Sequence, residues 1–464
     1  MNKYKKLISN TLTFGIGTFS SKLLVFFLMP FYTRFLEPGQ YSDTELITNM
    51  ANLLMPIVTV GIISSVVRFG LDQAYDKQSV FTTGVLTLGG GFALYMAALP
   101  LLVNVDIIGE YTILVTLYVV MSAVKSLFST FVRSLQYVKL FAFDGVLSTI
   151  MTILFNILFL MAFHMGVTGY VLATIAADFC SSVFLFLMAS LWRYFRPKKF
   201  NWTLTKSMLR YCVPLIPTSL FWWITNVSDK YIVTALVGSE ENGLYSIAYK
   251  IPNLLVLVSN IFTEAWQMTA VTEKDSADKS HFFTKVFSTY QSLLFIASAL
   301  IICCSKIFTR LLTAPSYYES WKFIPILVIA TAFSCFATFF GSVYMVEKKS
   351  LITLVTVLTG AVSNIALNFL LIPSLKANGA ALATFTSYFL VFIMRVVTSR
   401  KLIRVRINAL QMGLNLLLIG AQAYILIAEI PHWAVLELGL TAAIIVLNIR
   451  PLLNGAKRLL KRTP

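Results

Sequence analysis

Charge is scarce in this 464-residue chain: Asp, Glu, Lys and Arg together make up 12% of it, about half the usual share of a soluble domain. The polar stretches between apolar runs are too short to build a separate nucleotide-binding or catalytic domain, and no P-loop pattern occurs. This argues against ATP-driven work within the chain and against an enzyme. The one glycine cluster, Gly89-Gly90-Gly91, lies inside an apolar run, where close helix packing accounts for it. Histidine is rarer still. His164, His281 and His432 stand far apart, with no Cys, Asp or Glu at metal-ligand spacing, so no metal and no cofactor is expected. Cysteine is odd in number, and all five residues fall in or beside apolar stretches, which argues against a disulfide framework.

What abounds is apolar. Hydrophobic residues are 58% of the chain; at roughly 20 per membrane-crossing helix they suffice for about thirteen spans. The expected fold is therefore an all-α polytopic membrane protein. Apolar segments bounded by charges, Gly, Pro or short turns fall near 10–34, 43–67, 80–103, 110–132, 142–163 and 167–191. After a basic stretch they resume near 208–237, 242–270, 285–312, 321–346, 351–372, 377–399, 409–428 and 433–449. This predicts 14 transmembrane helices: an N-terminal lobe over 1–195, a basic linker over 196–207, a C-terminal lobe over 208–400 and two further helices over 401–464. The first segment is too long for a signal-peptide core and is read as the first membrane helix.

Of the 37 lysines and arginines, most fall in one alternate set of loops, which the positive-inside rule makes cytoplasmic, with both termini. Basic residues spread over juxtamembrane loops facing anionic lipid also account for the +17 net charge. Nucleic-acid binding is not expected.

Two internal matches suggest a repeat. Residues 38–41 leading to Asn52-Leu53-Leu54 correspond to 239–242 leading to Asn253-Leu254-Leu255, and Gly169–Thr174 corresponds to Gly379–Thr384. The offsets separate equivalent segments by six helices, which predicts two pseudo-symmetric six-helix lobes about a central cleft.

Ionisable and amide side chains at membrane depth mark where function should be sought. In the eighth segment Ser246, Lys250, Asn253, Leu257, Asn260, Glu264 and Gln267 alternate steps of four and three, which keeps them on one helix face; in the second segment Asn49 and Asn52 take the related places. Lys230 and Lys250 lie at similar depth on adjacent segments, with Asp229 beside them. Two ammonium groups for one carboxylate make an anion site, and a static ion pair is the competing reading. Lys22, deep in the first segment, is expected to line the cavity. Lys125 can snorkel outward, and Asp178 either buffers it or serves as a proton site.

The pattern resembles the polysaccharide transporters of the multidrug, oligosaccharidyl-lipid and polysaccharide (MOP) flippase superfamily, the Wzx-like oligosaccharide flippases. The resemblance rests on Ser21-Lys22-Leu23-Leu24, Pro30–Leu36, Pro38–Tyr41, Asp229-Lys230-Tyr231, Gly238–Ser246, Tyr249-Lys250-Ile251, Asn364–Asn368 and Gly379–Thr384. Residues 41–44, Tyr-Ser-Asp-Thr, depart from it, since the family commonly has Tyr-Gly there. It implies two six-helix lobes around a central cavity, two extra C-terminal helices, and alternating access that carries undecaprenyl-diphosphate-linked sugar outward across the bacterial cytoplasmic membrane. On that reading Lys22, Lys230 and Lys250 hold the diphosphate, and Asn52, Asn253, Asn260 and Gln267 contact phosphate or sugar. Membrane potential drives export, or Asp229, Glu264 or Asp178 couples it to proton or sodium entry. A lipid II flippase and a multidrug cation antiporter of the same superfamily are the alternatives.

Overall fold

The structure, a computed structural model, describes residues 26, 28–102, 109–272, 279–347 and 349–461. Among these, all regular structure is helical. Among the described residues, nine helices are long and apolar enough to cross a membrane, or ten if a bent pair is counted as one span, against the 14 expected from the apolar segments.

The chain divides into two compact units, Met1–Trp223 and Ile224–Pro464. The first begins, among the described residues, with α1 (Met29–Phe35) and α2 (Pro38–Val58). Pro38 opens α2, where a missing N–H costs nothing, and the Glu37 N–H reaches the Gln40 side chain at 3.2 Å. The second apolar segment is not one straight helix. Pro56, Val60 (φ 50°) and Gly61 (φ 65°) interrupt it, and α3 (Ile62–Leu71) leaves at 58° to α2. The bend exposes the Val58 carbonyl, and α4 (Lys77–Leu102) approaches it through Gly91, where a Cβ would lie 2.0 Å from that oxygen. Gly89 and Gly90 have open space around a Cβ. One glycine of the cluster serves close packing.

Helices α5 (Thr112–Ser134), α6 (Val138–Asn156, extended by a π-helical turn to Ala162) and α7 (Gly166–Met188) complete the membrane-crossing part of this unit. The basic stretch that follows does not hang free. Asn201 caps α8 (Trp202–Cys212) by accepting from the Thr203 and Leu204 N–H groups. Ser65 of α3 then donates to the Met208 carbonyl at 2.7 Å, and Leu204, Met208 and Cys212 enter one apolar cluster with Ile62 and Val66. The boundary between the units falls later, within α9 (Leu215–Leu236).

In the second unit the eighth apolar segment is likewise two helices, α10 (Ser239–Ala248) and α11 (Asn253–Thr272), parted just before and at Pro252. The break in the first unit, at 59–61, corresponds by the repeat offset to 260–262 and not to 249–252, so the two segments are interrupted at different positions. Helices α12 (Lys279–Cys303), α13 (Ser305–Leu312) and α14 (Ile324–Val346) carry an aromatic core. Phe287 meets Phe336, Phe339 and Phe340, and Trp266 stacks on Phe339 at 4.9 Å while donating to Ser342.

Next, α15 (Ser350–Ser399) is helical over 50 residues, a length that at 1.5 Å per residue would be about 75 Å, more than twice a bilayer core. It is a hairpin. Lys376 alone leaves helical geometry (φ 51°, ψ −137°), and the cross-pairs nest around it: Arg395 Nε with Thr356 Oγ1 at 3.1 Å, Asn364 with Thr384 at 3.3 Å, and Gly379 against the Leu371 carbonyl. The two expected segments, 351–372 and 377–399, are thus antiparallel helices joined at one residue. Finally α16 (Ala409–Ile427) and α17 (Trp433–Lys461) pair through buried amides, with Asn415 and Asn448 bonding each other and Gln422 donating to Glu437 and Thr441. Both pack on α12, so this pair is part of the second unit. Lys306 fastens its far end, lying between the Trp321 and Trp433 rings at 4.1 and 4.4 Å and bonded to Glu429 at 2.6 Å.

Candidate functional site

Segments far apart in sequence meet at Asp229. Its carboxylate is 2% exposed and accepts from the Tyr245 hydroxyl at 2.8 Å, the Tyr249 hydroxyl at 3.3 Å and the Lys230 N–H at 2.9 Å. These donors come from α9, α10 and the break after α10. Tyr249 also meets Thr384, Thr384 accepts from Asn364, and Asn364 in turn accepts from Asn368 at 3.0 Å and Ser228 at 3.4 Å. Tyr388 closes the far side by donating to Asn226 at 2.9 Å. An apolar surround requires such groups to bond one another, and the network does so except at the Asn368 Oδ1, which is buried without a partner.

Lys230 is 8% exposed, with its Nζ 5.8 Å from the Tyr249 ring, and Lys250 follows Tyr249 directly at the helix break, half-buried. Lys230 thus sits beside a carboxylate engaged by two phenols, and Lys250 adjoins one of those phenols in the chain. The helix break alters the expected polar stripe. Ser246 is buried on α10, whereas Asn253 and Asn260 are exposed on α11, so the seven positions do not share one continuous helix. Asn52 is exposed on α2. Lys22 lies outside the described residues, as do the side chains of Glu264 and Gln267, although α11 spans those two positions.

A second polar cluster lies in the first unit. Lys125 of α5 pairs with Asp178 of α7 at 2.8 Å and donates to Ser148 of α6 at 2.6 Å; Ser122 also bonds Asp178, and Ser181 bonds Asp144. Asp178 is thus paired with Lys125. Asp144, 2% exposed, went unnoticed in the sequence reading, where a lone Asp near a helix start gave no spacing to Asp178 or Lys125.

Among the described residues, no group of three or more His, Cys, Asp or Glu could hold a metal ion. The Asp229 network instead offers hard oxygen donors, namely a carboxylate, asparagine amides and a hydroxyl, which suit an alkali cation or a proton rather than a transition metal.

The arrangement of helices is that of a known class. The lipid II flippase MurJ, in an inward closed conformation, is similar with a TM-score of 0.68 at 13% identity over 94% of this chain and 97% of that one. An inward-facing multidrug resistance MATE family transporter gives 0.66 at 14% identity over 82% and 94%. The chain is a multi-pass membrane protein with the fold of MOP superfamily transporters. Residues 7–267, more than half of the chain, match the family model described as polysaccharide biosynthesis protein, and the chain belongs to that family. Curated relatives include the multidrug and toxin extrusion protein 1 of mouse, 27% identical over 220 residues that cover 42% of this chain and 38% of the relative. The rabbit protein of that name is 23% identical over 290 residues, covering 56% and 50%. The chain therefore spans half or less of the length of these relatives.

Proposed function

We propose that this protein is a flippase that moves undecaprenyl-diphosphate-linked oligosaccharide from the cytoplasmic to the outer leaflet of a bacterial cytoplasmic membrane by alternating access, with both termini in the cytoplasm. The observation that carries the reading is membership of the polysaccharide biosynthesis family, together with Lys230 next to the Asp229 carboxylate and Lys250 next to Tyr249, whose hydroxyl bonds that carboxylate. Lys22, Lys230 and Lys250 bind the diphosphate, and Asn52, Asn253, Asn260 and Gln267 contact phosphate or sugar, while the lipid tail stays in the bilayer. Outward movement of a dianion gains roughly 4.6 kcal/mol across 100 mV. Where an ion gradient contributes, we assign the coupling to Asp229, whose oxygen-rich network suits sodium or a proton, ahead of Asp178, which Lys125 holds, and of Glu264.

The multidrug reading draws on the extrusion-protein relatives, and the lipid II reading on the MurJ fold. One assay separates all three: proteoliposomes with a fluorescent undecaprenyl-diphosphate oligosaccharide, lipid II or a cationic drug, under an imposed potential or pH gradient. Oligosaccharide movement that follows the gradient and is lost in Lys22→Ala and Lys250→Ala is the expected result. Movement of the drug alone overturns the proposal, and survival of transport in both variants overturns the site.

A further inference from the structure

A cavity of about 320 Å³ lies in the second unit between α12, the 400–408 connection and the start of α16, remote in sequence from every residue assigned above. Its volume is at the lower end of small-ligand pockets. On α12 its wall is made by Phe287, Ser288 and Gln291, which helical spacing puts on one face. Arg406 faces them from the connection, its backbone fixed by an N–H bond to Thr284 at 3.0 Å. The pairing of Gln411 with Asn448 at 3.3 Å joins the same wall to α17.

Three features give this cavity a ligand preference. Gln291 is only 4% exposed, and its amide is part of the cavity lining. Ser288 and Arg406 line it as well. All three are donors, and a guanidinium fork matches two phosphate oxygens at once. Finally, residues 279–303 and 400–427 contain no Asp or Glu but carry Lys279, which pairs with Glu347, and Lys285, Arg400, Lys401, Arg404 and Arg406, so the surrounding field favours an anion. Phe287 supplies an apolar wall for the carbon attached to a phosphate.

We propose that this cavity binds a phosphate ester, held by Arg406, Ser288 and Gln291, and that its occupant ties the C-terminal helix pair to α12. The ester comes either from the headgroup of an anionic membrane lipid or from a soluble phosphate ester. Native mass spectrometry on the full chain in detergent, titrated with phosphatidylglycerol, glycerol 3-phosphate or phosphatidylcholine, tests this. Affinity for one or both anionic probes is expected to fall about tenfold in Arg406→Ala and in Gln291→Leu and to stay unchanged in Arg404→Ala, an exposed basic neighbour outside the cavity. The probe that binds identifies the source. Arg406 is exposed, so its variant folds even if Gln291→Leu does not. The proposal is overturned if neither anionic probe binds, if phosphatidylcholine binds equally well, or if Arg404→Ala weakens binding as much as Arg406→Ala.

Discussion

Replacing Lys125 with methionine keeps the length of the side chain and removes its charge. In the folded protein that charge serves Asp178 at 2.8 Å, with the Lys125 side chain 25% and the Asp178 side chain 9% exposed, and it also acts on Asp144. Breaking a buried pair by deleting one partner costs roughly 3–5 kcal/mol, because the other charge is left without compensation. Ser122 still bonds Asp178 and Lys125 is partly exposed, so the lower end applies, about 3 kcal/mol. Deleting both charges, in Lys125→Met with Asp178→Leu, removes the imbalance along with the attraction and is expected to recover most of the loss. The coupling energy between the two sites should then be about 2 kcal/mol in the protective direction. Denaturation of the four proteins in one detergent, followed by tryptophan fluorescence, measures it. If the two single losses simply add in the double variant, the pair is not an interacting unit and the reasoning fails.

Two further outcomes follow from the geometry. Gly379→Val drives a side chain into the Leu371 carbonyl, 2.4 Å from the Cβ position, and should cost about 2 kcal/mol or more, seen as loss of the monodisperse peak in size-exclusion chromatography; Gly413→Ala, with open space around its Cβ, should leave that peak unchanged. In the loop between α3 and α4, burial opposes the Asp76 charge, but the Lys199 ammonium at 3.0 Å, the Ser79 hydroxyl and the Gln78 N–H hold its carboxyl below the ordinary carboxylate range. A pKa lowered by folding gives stability that is present above the unfolded value of about 3.9 and lost as pH falls through the folded value. Asp76→Asn should therefore lower stability at pH 7 by less than about 1 kcal/mol, since the pair is exposed, and the difference from the unmodified protein should vanish as pH falls through the folded value, which flattens the acid side of the profile.

Much of the architecture was legible because membrane helices announce themselves by long apolar runs: the segments expected at 80–103, 110–132, 142–163, 167–191, 321–346 and 409–428 reappear as helices with similar limits, whereas those at 43–67, 208–237, 242–270 and 285–312 are each divided between two helices. The breaks were harder to read. Pro252 was a visible signal, since it removes a backbone donor, yet the step-of-four-and-three spacing across it suggested a single helix. Pro56 and Gly61 mark the other bend, but Val60 and Lys376 adopt positive φ as residues with no local preference for it, held there by the packing of the helices on either side. The Asp229 network shows the same division. Asp229, Lys230 and Lys250 stood out as charges in apolar sequence. That Asn364, Asn368 and Thr384 would close around Asp229 required knowledge of which helices touch, although Asn364 and Asn368, one turn apart, share a helix face.

The hairpin formed by α15 constrains how this part of the protein can move. Its cross-pairs at 356 with 395, 364 with 384 and 371 with 379 are spread along its length, and its turn is a single residue. Sliding one helix past the other would break all of them together, with no slack chain to absorb the shift. Rocking the two as one body breaks none. The hairpin is thus a lever rather than a pair of pistons, and a rotation at its open end carries the turn at Lys376 with it.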